Sequence, residues 1–121
     1  MLGIGCDIIE IQRMAKAIER EHFVERVFTD QEAAYCRQQG KQAAASYAAR
    51  FAAKEAVLKA FGTGLRGGKM VEVEVVPDAL GKPEIMLHGY YARLAAELGM
   101  RRLCVSLSHS REYAVAFVTL E

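Results

Sequence analysis

The chain has no tryptophan, only two prolines, three cysteines, and no excess of charge of either sign. Each shortage excludes something. Cys6, Cys36 and Cys104 are odd in number, widely spaced and set among apolar neighbours, which argues against a secreted disulfide scaffold. They read as reduced, packed thiols in a cytoplasmic protein. Sixteen basic residues against fifteen acidic ones leave a formal charge of +1, so wholesale attraction to nucleic acid or to an anionic membrane does not explain function. No stretch approaches the ~20 apolar residues of a membrane helix. The opening Met1-Leu2-Gly3-Ile4-Gly5 lacks the basic start and apolar run of a signal peptide. What is present is 121 residues, 52% of them hydrophobic, which fits one globular domain over 1–121. At this length folding buries roughly two-thirds of the unfolded surface, so a core forms without staples.

Leu2, Ile4, Cys6 and Ile8 alternate with Gly3, Gly5 and Asp7, the period of a strand. Paired glycines in a strand mark close approach by other backbone or by a ligand. From Ile11 the period becomes helical, with Ile11, Met14, Ala15 and Ile18 on one side and Arg13, Lys16 and Arg20 on the other. Thr29-Asp30-Gln31-Glu32 has the form of a capping box, predicting a short helix to about Gln39 that Gly40 can end. Ala43 to Phe61 is the strongest helix, since nine of its nineteen residues are alanine and Gly62 and Gly64 supply the stop. Val71 to Val75 alternates as a half-exposed strand, Ala79 to Pro83 turns, and Glu84 to Leu87 returns. Tyr90 to Leu98 is a further helix stopped by Gly99. Leu103 to Ser108 and Tyr113 to Leu120 close the chain as strands joined by a polar turn. The fold class is α+β, mainly antiparallel strands packed on a long central helix.

Two residues break their local pattern. Glu55 has Ala48, Phe51, Ala52, Leu58 and Lys59 as its wheel neighbours, on a helix apolar nearly all round and so expected to be buried. An ordinary Glu-to-Lys helix pair accounts for it on a surface; in an interior, a carboxylate must be paired or bound to metal. Asp7 sits in a strand pattern where aspartate is depleted, and a strand-end carboxylate receiving backbone hydrogen bonds is its plainer reading. Together, two carboxylates without a Cys or His cluster suit a hard cation such as Mg²⁺ with water and phosphate oxygens. Gly62-Thr63-Gly64 is a helix stop and not a phosphate loop of the strand-to-helix kind. Ser106 and Ser108 share a strand face beside His109, but no Gly-x-Ser-x-Gly elbow supports a hydrolase. Hydroxyls and an imidazole there are equally able to hold a phosphate. The stripe Arg13, Lys16 and Arg20 is a solvated face with no interspersed acid, open to an acidic partner protein.

Taken in order, these segments resemble the holo-acyl-carrier-protein synthases, the short class of 4′-phosphopantetheinyl transferases. Gly3-Ile4-Gly5-Cys6-Asp7-Ile8, continuing to Ile11 and Arg13, matches the family's opening motif. Arg50-Phe51-Ala52-Ala53-Lys54-Glu55-Ala56 with Lys59-Ala60-Phe61-Gly62-Thr63-Gly64 matches its central helix, and Val105 to Ser110 its last motif; Gly81-Lys82-Pro83 adds a weaker fourth. The resemblance implies transfer of the 4′-phosphopantetheine arm of coenzyme A to a serine of acyl carrier protein, with release of adenosine 3′,5′-bisphosphate, in fatty acid biosynthesis. It implies Mg²⁺ held by Asp7 and Glu55, and Lys59 at the pyrophosphate, neutralising or protonating the leaving phosphate. Glu55 or a metal-bound water would take the serine proton. Arg50 and His109 would contact the 3′-phosphate of coenzyme A, with Ser108, Ser110 and Gly62 nearby, and the Arg13 face would receive the carrier protein. A single copy of this length resembles the trimeric class, with sites shared at subunit interfaces. The alternative is a non-catalytic adaptor gripping an acidic protein through Arg13, Lys16 and Arg20; the intact Asp7, Glu55 and Lys59 favour the enzyme.

Overall fold

A computed structural model describes residues 1–121. In chain order it runs β1 (Gly3–Glu10), α1 (Ile11–Ala17), α2 (Glu21–Val27), α3 (Asp30–Arg37), α4 (Ala43–Phe61), β2 (Val73–Pro77), β3 (Pro83–Leu87), α5 (Gly89–Glu97), β4 (Leu103–His109) and β5 (Tyr113–Leu120), with short 3-10 turns at Gly40–Gln42 and Met70–Glu72. Every strand pairing is antiparallel. One sheet has the order β1-β5-β4, and β2 and β3 form a separate hairpin. The expected α+β class with a long central helix is the observed one.

The helix α4 occupies the limits that its alanines and glycine predict, and Gly62 ends it at φ 79, a left-handed cap at no steric cost. Ala52 and Ala56 are fully buried, and Ala60 nearly so. These small residues let β1 lie directly on the helix. A methyl group at Gly3 would fall on the carbonyl oxygen of Ala60, and one at Gly5 on that of Ala56. The glycine pair therefore marks close approach by backbone, that of α4. Ala114, Ala116, Val118 and Leu120 of β5 complete the buried face of the sheet.

The capping box forms as its spacing predicts. Glu32 N–H donates to Thr29 Oγ1 (3.2 Å), and Thr29 N–H donates to Glu32 Oε1 (2.9 Å). Three expectations need correction. Val71 and Glu72 lie in a 3-10 turn, and the strand begins at Val73 with Val73, Glu74 and Val75 all buried, not half-exposed. Glu74 is tolerated there because Thr29 Oγ1 donates to its Oε2 (2.7 Å) and His88 Nε2 pairs with its Oε1 (3.0 Å). Burial alone pushes the Glu74 carboxyl up, but those hydrogen bonds and nearby positive charge outweigh it and hold it below the usual carboxylate range. Second, only Cys36 is a packed thiol. Cys6 and Cys104 are exposed, because strand parity turns them to the face of the sheet that α4 does not cover. Third, α2 is an additional helix. Glu21 in its first turn, Arg26 in its last and Phe23 with Val27 at i and i+4 were its sequence signals. No helix is long and apolar enough to cross a membrane.

Candidate active site

The packing of β1 on α4 brings Asp7 to Glu55 and Lys59. Asp7 falls on the inner, α4-facing parity of β1, two residues beyond Gly5, where backbone contact is tightest. Lys59 Nζ donates to Asp7 Oδ1 at 2.9 Å and to the Cys6 carbonyl at 3.1 Å. The lysine side chain is 56% exposed and the aspartate only 14%, so the ammonium reaches in from solvent over a shielded carboxylate. The hydrogen bond it donates to Asp7, and then the charge of that carboxylate, hold the Lys59 ammonium above its ordinary range, which favours a permanent cation. Burial, followed by the negative charge of Asp7, pushes the Glu55 carboxyl up; Lys59 opposes this without cancelling it.

The second oxygen of the aspartate, Asp7 Oδ2, is buried and has no hydrogen-bond partner. A buried carboxylate oxygen without a donor is costly unless a cation meets it. No cluster of three or more His, Cys, Asp or Glu side chains is present, so there is no soft or nitrogen-rich cage. Two carboxylates bearing one unmet oxygen fit a hard divalent cation that completes its shell with water and phosphate oxygens.

The stripe predicted on α1 is solvent-facing, with Arg13, Lys16 and Arg20 all exposed. These three residues edge a groove of about 610 Å³ floored by Ile8, Ile9, Met14, Phe23, Phe51 and Tyr113. Neither Asp7 nor Glu55 lines it; Phe51, one turn before Glu55 on α4, is its link to the carboxylates. Gly62 caps α4 one turn after Lys59, facing open space. His109, at the end of β4, lines a second cavity of about 520 Å³ with Lys41, Ser110 and Arg111. Lys41 and Arg111 escaped the sequence reading, although both are basic residues near glycine or serine turns. Ser106 and Ser108 share a face as predicted, but it is the outer one, away from Asp7. His109 Nδ1 donates to the Ser110 carbonyl (3.4 Å), so no serine-histidine pair exists. Arg50 lies apart from both cavities. It is nearly buried, its guanidinium 4.1 Å from the ring centre of Tyr35 on α3, and its Nε has no partner.

A second charge cluster was missed altogether. Lys54 is fully buried and forms a 2.7 Å ion pair with Glu32, donating also to the carbonyls of Met70 (3.1 Å) and Val73 (2.5 Å). Its signal was a lone lysine between Ala53 and the apolar residues Val57 and Leu58, on the side of α4 away from Asp7.

The model of the 4′-phosphopantetheinyl transferase superfamily matches residues 3–118. The holo-[acyl-carrier-protein] synthase of Geobacter sulfurreducens is 48% identical, over 100% of this chain and 98% of the relative. Among solved structures, the holo-[acyl-carrier-protein] synthase of Neisseria meningitidis superposes with a TM-score of 0.90 at 35% identity, covering 100% and 98% of the two chains. The Bacillus anthracis holo-(acyl-carrier-protein) synthase in complex with CoA (3′,5′-ADP) superposes at 0.81 with 36% identity, over 98% and 95%. This chain belongs to the 4′-phosphopantetheinyl transferase superfamily. The family that its motifs resemble is the family it is in.

Proposed function

We propose that this protein transfers the 4′-phosphopantetheine arm of coenzyme A to a serine hydroxyl of acyl carrier protein, releasing adenosine 3′,5′-bisphosphate. The observation that carries the reading is the meeting of Asp7, Glu55 and Lys59, with one aspartate oxygen left unmet. The names of the relatives and the coenzyme held by the Bacillus anthracis structure support the same reaction. Asp7 and Glu55 would hold Mg²⁺, which when bound neutralises charge on the diphosphate. Lys59 is held cationic beside Asp7, so its part is to neutralise the leaving phosphate oxygen in preference to protonating it. Gly62, open at the end of α4, would let the coenzyme approach the backbone there. His109 and Ser108, with the flanking Lys41 and Arg111, are the candidates for its phosphates and sugar; Arg50, expected at the 3′-phosphate, is instead nearly buried against Tyr35 and lines neither cavity.

The groove along α1 pairs a rim of three cations and one acid, Glu10, with an apolar floor, and its excess of positive charge suits an acidic carrier helix with apolar side chains. Arg13→Glu raises KM for apo carrier protein by about tenfold or more, and steepens with falling salt, while KM for coenzyme A stays unchanged. Steady-state kinetics with each substrate varied in turn check this; equal loss for both substrates counts against the docking face.

The same reading assigns a homotrimer with sites shared between copies. Its support is the outer face of the three-stranded sheet, where Ile4 (54%), Ile8 (61%) and Phe117 (49%) are exposed together. Ser108 faces that side and Asp7 faces the other, so a coenzyme touching both reaches across a subunit boundary. Phe117→Asp converts the trimer to monomers in light scattering and abolishes transfer. A fully active monomer overturns the shared site. The reaction itself is tested by incubating the protein with coenzyme A, Mg²⁺ and apo carrier protein and weighing the carrier. An unmodified carrier beside folded protein would favour a binding module. The place of action is the cytoplasm, in fatty acid synthesis, with no nucleic acid or membrane partner.

A further inference from the structure

The segment that follows α4, Gly62 to Lys69, has glycine at four of its eight positions and so little conformational preference of its own. Gly62, Gly64 and Gly67 all adopt positive φ (79, 62 and 83). A chain of this composition holds one course only if something outside it imposes that course, and here α5 does so. Tyr91, fully buried, sends its hydroxyl outward to donate to the Gly64 carbonyl at 2.9 Å. Its ring stacks on Phe61, the last residue of α4, at 6.0 Å. Gly68 packs flat against the same ring, and Gly67 against the ring of Tyr90, so closely that a methyl group at either would overlap ring carbons. Beyond them Glu72 accepts hydrogen bonds from the backbone N–H of Lys69 (2.7 Å) and of Tyr90 (3.1 Å), tying the far end of the loop to the start of α5. Burial keeps the Tyr91 hydroxyl protonated, and therefore a donor.

We infer that Tyr91 is a positioning residue for coenzyme A: through its hydroxyl on the Gly64 carbonyl it sets the course of the glycine loop against which the coenzyme binds. This rests on the transferase reading, which places the coenzyme beside Gly62. Tyr91 touches neither Asp7 nor Glu55, and α5 contributes nothing to the α1 groove. Its effect should therefore fall on one substrate.

Tyr91→Phe keeps the stack on Phe61 and the seat for Gly68, and removes the tether alone. The expected result is a three- to tenfold weaker calorimetric Kd and higher KM for coenzyme A, with KM for carrier protein unchanged. Amide exchange across residues 62–69 should quicken in the ligand-free variant while the rest of the chain keeps its wild-type protection. Unaltered coenzyme affinity, or an equal loss for the carrier, overturns the inference, because a general weakening of the fold would reach both substrates. Wild-type protein that fails to bind coenzyme A would overturn the transferase reading and this one with it, so the wild-type control tells the two failures apart.

Discussion

Glu55→Gln lowers turnover by about 10²–10³-fold, equivalent to roughly 3–4 kcal/mol of transition-state stabilisation, without lowering the melting temperature. The two halves of this result have one cause. The Glu55 carboxyl is half-buried on the apolar side of α4 and faces the charge of Asp7, which is why it holds its proton more tightly than an ordinary glutamate. Glutamine keeps its shape and removes the charge. A carboxyl whose pKa is raised in the folded state is most favourable to the fold below its unfolded value, and that advantage is lost as pH rises through the folded value. At neutral pH the ionised Glu55 thus costs the ligand-free protein stability, and the glutamine variant melts at the same temperature or higher. The difference shrinks as pH falls into the raised range. Added Mg²⁺ should raise the melting temperature of the wild type by mass action and leave the variant unmoved. Cation affinity should also begin to fall at a higher pH than ordinary carboxylates would set. Turnover at the wild-type rate in the variant removes Glu55 from the site.

The second large effect concerns the fold. Lys54→Met lowers stability by about 3–5 kcal/mol, a fall of roughly 10–20 °C in melting temperature for a chain of this size. The methionine fills the space of the lysine stem but leaves Glu32 with a buried negative charge. Two backbone donors remain to it, Thr29 N–H (2.9 Å) and Val75 N–H (2.8 Å), and they satisfy its oxygens without neutralising it. The carbonyls of Met70 and Val73 lose their donor at the same time, so the junction between the glycine loop and β2 loosens. Glu32→Gln combined with Lys54→Met should cost less than the sum of the two single changes, since the pair is lost together and no charge is stranded. Calorimetric melting of the three variants measures this. A fall of less than about 3 °C in Lys54→Met would mean that Glu32 is not dependent on its partner.

Much of the candidate site is legible in the sequence. Asp7 and Glu55 stood out because each contradicts its surroundings, an acid in a strand pattern and an acid on an apolar helix. The reading of Lys59 as their neighbour follows from one helical turn. Lys54 was equally anomalous and passed unnoticed inside a family motif, so its role in the core had to be found in space. Glu74 was misjudged for a related reason: alternation with valine describes a half-exposed strand equally well when its polar positions are buried and partnered by Thr29 and His88.

Local order belongs to the sequence alone. The alanines of α4 and the glycine that ends it, the capping box at Thr29 and the alternation of β1 and β5 determine their elements because propensity, capping and side-chain period act within a few residues. Tertiary structure decided which faces are covered and which charges meet. Asp7 and Lys59 are fifty-two positions apart, and nothing in either segment specifies the other until Gly3 and Gly5 allow β1 to rest on the backbone of α4. The exposure of Cys6 and Cys104 and the seating of Arg50 on Tyr35 were settled in the same way. An apolar pattern states that a face will be buried, whereas the partner that buries it is chosen by packing across the whole chain.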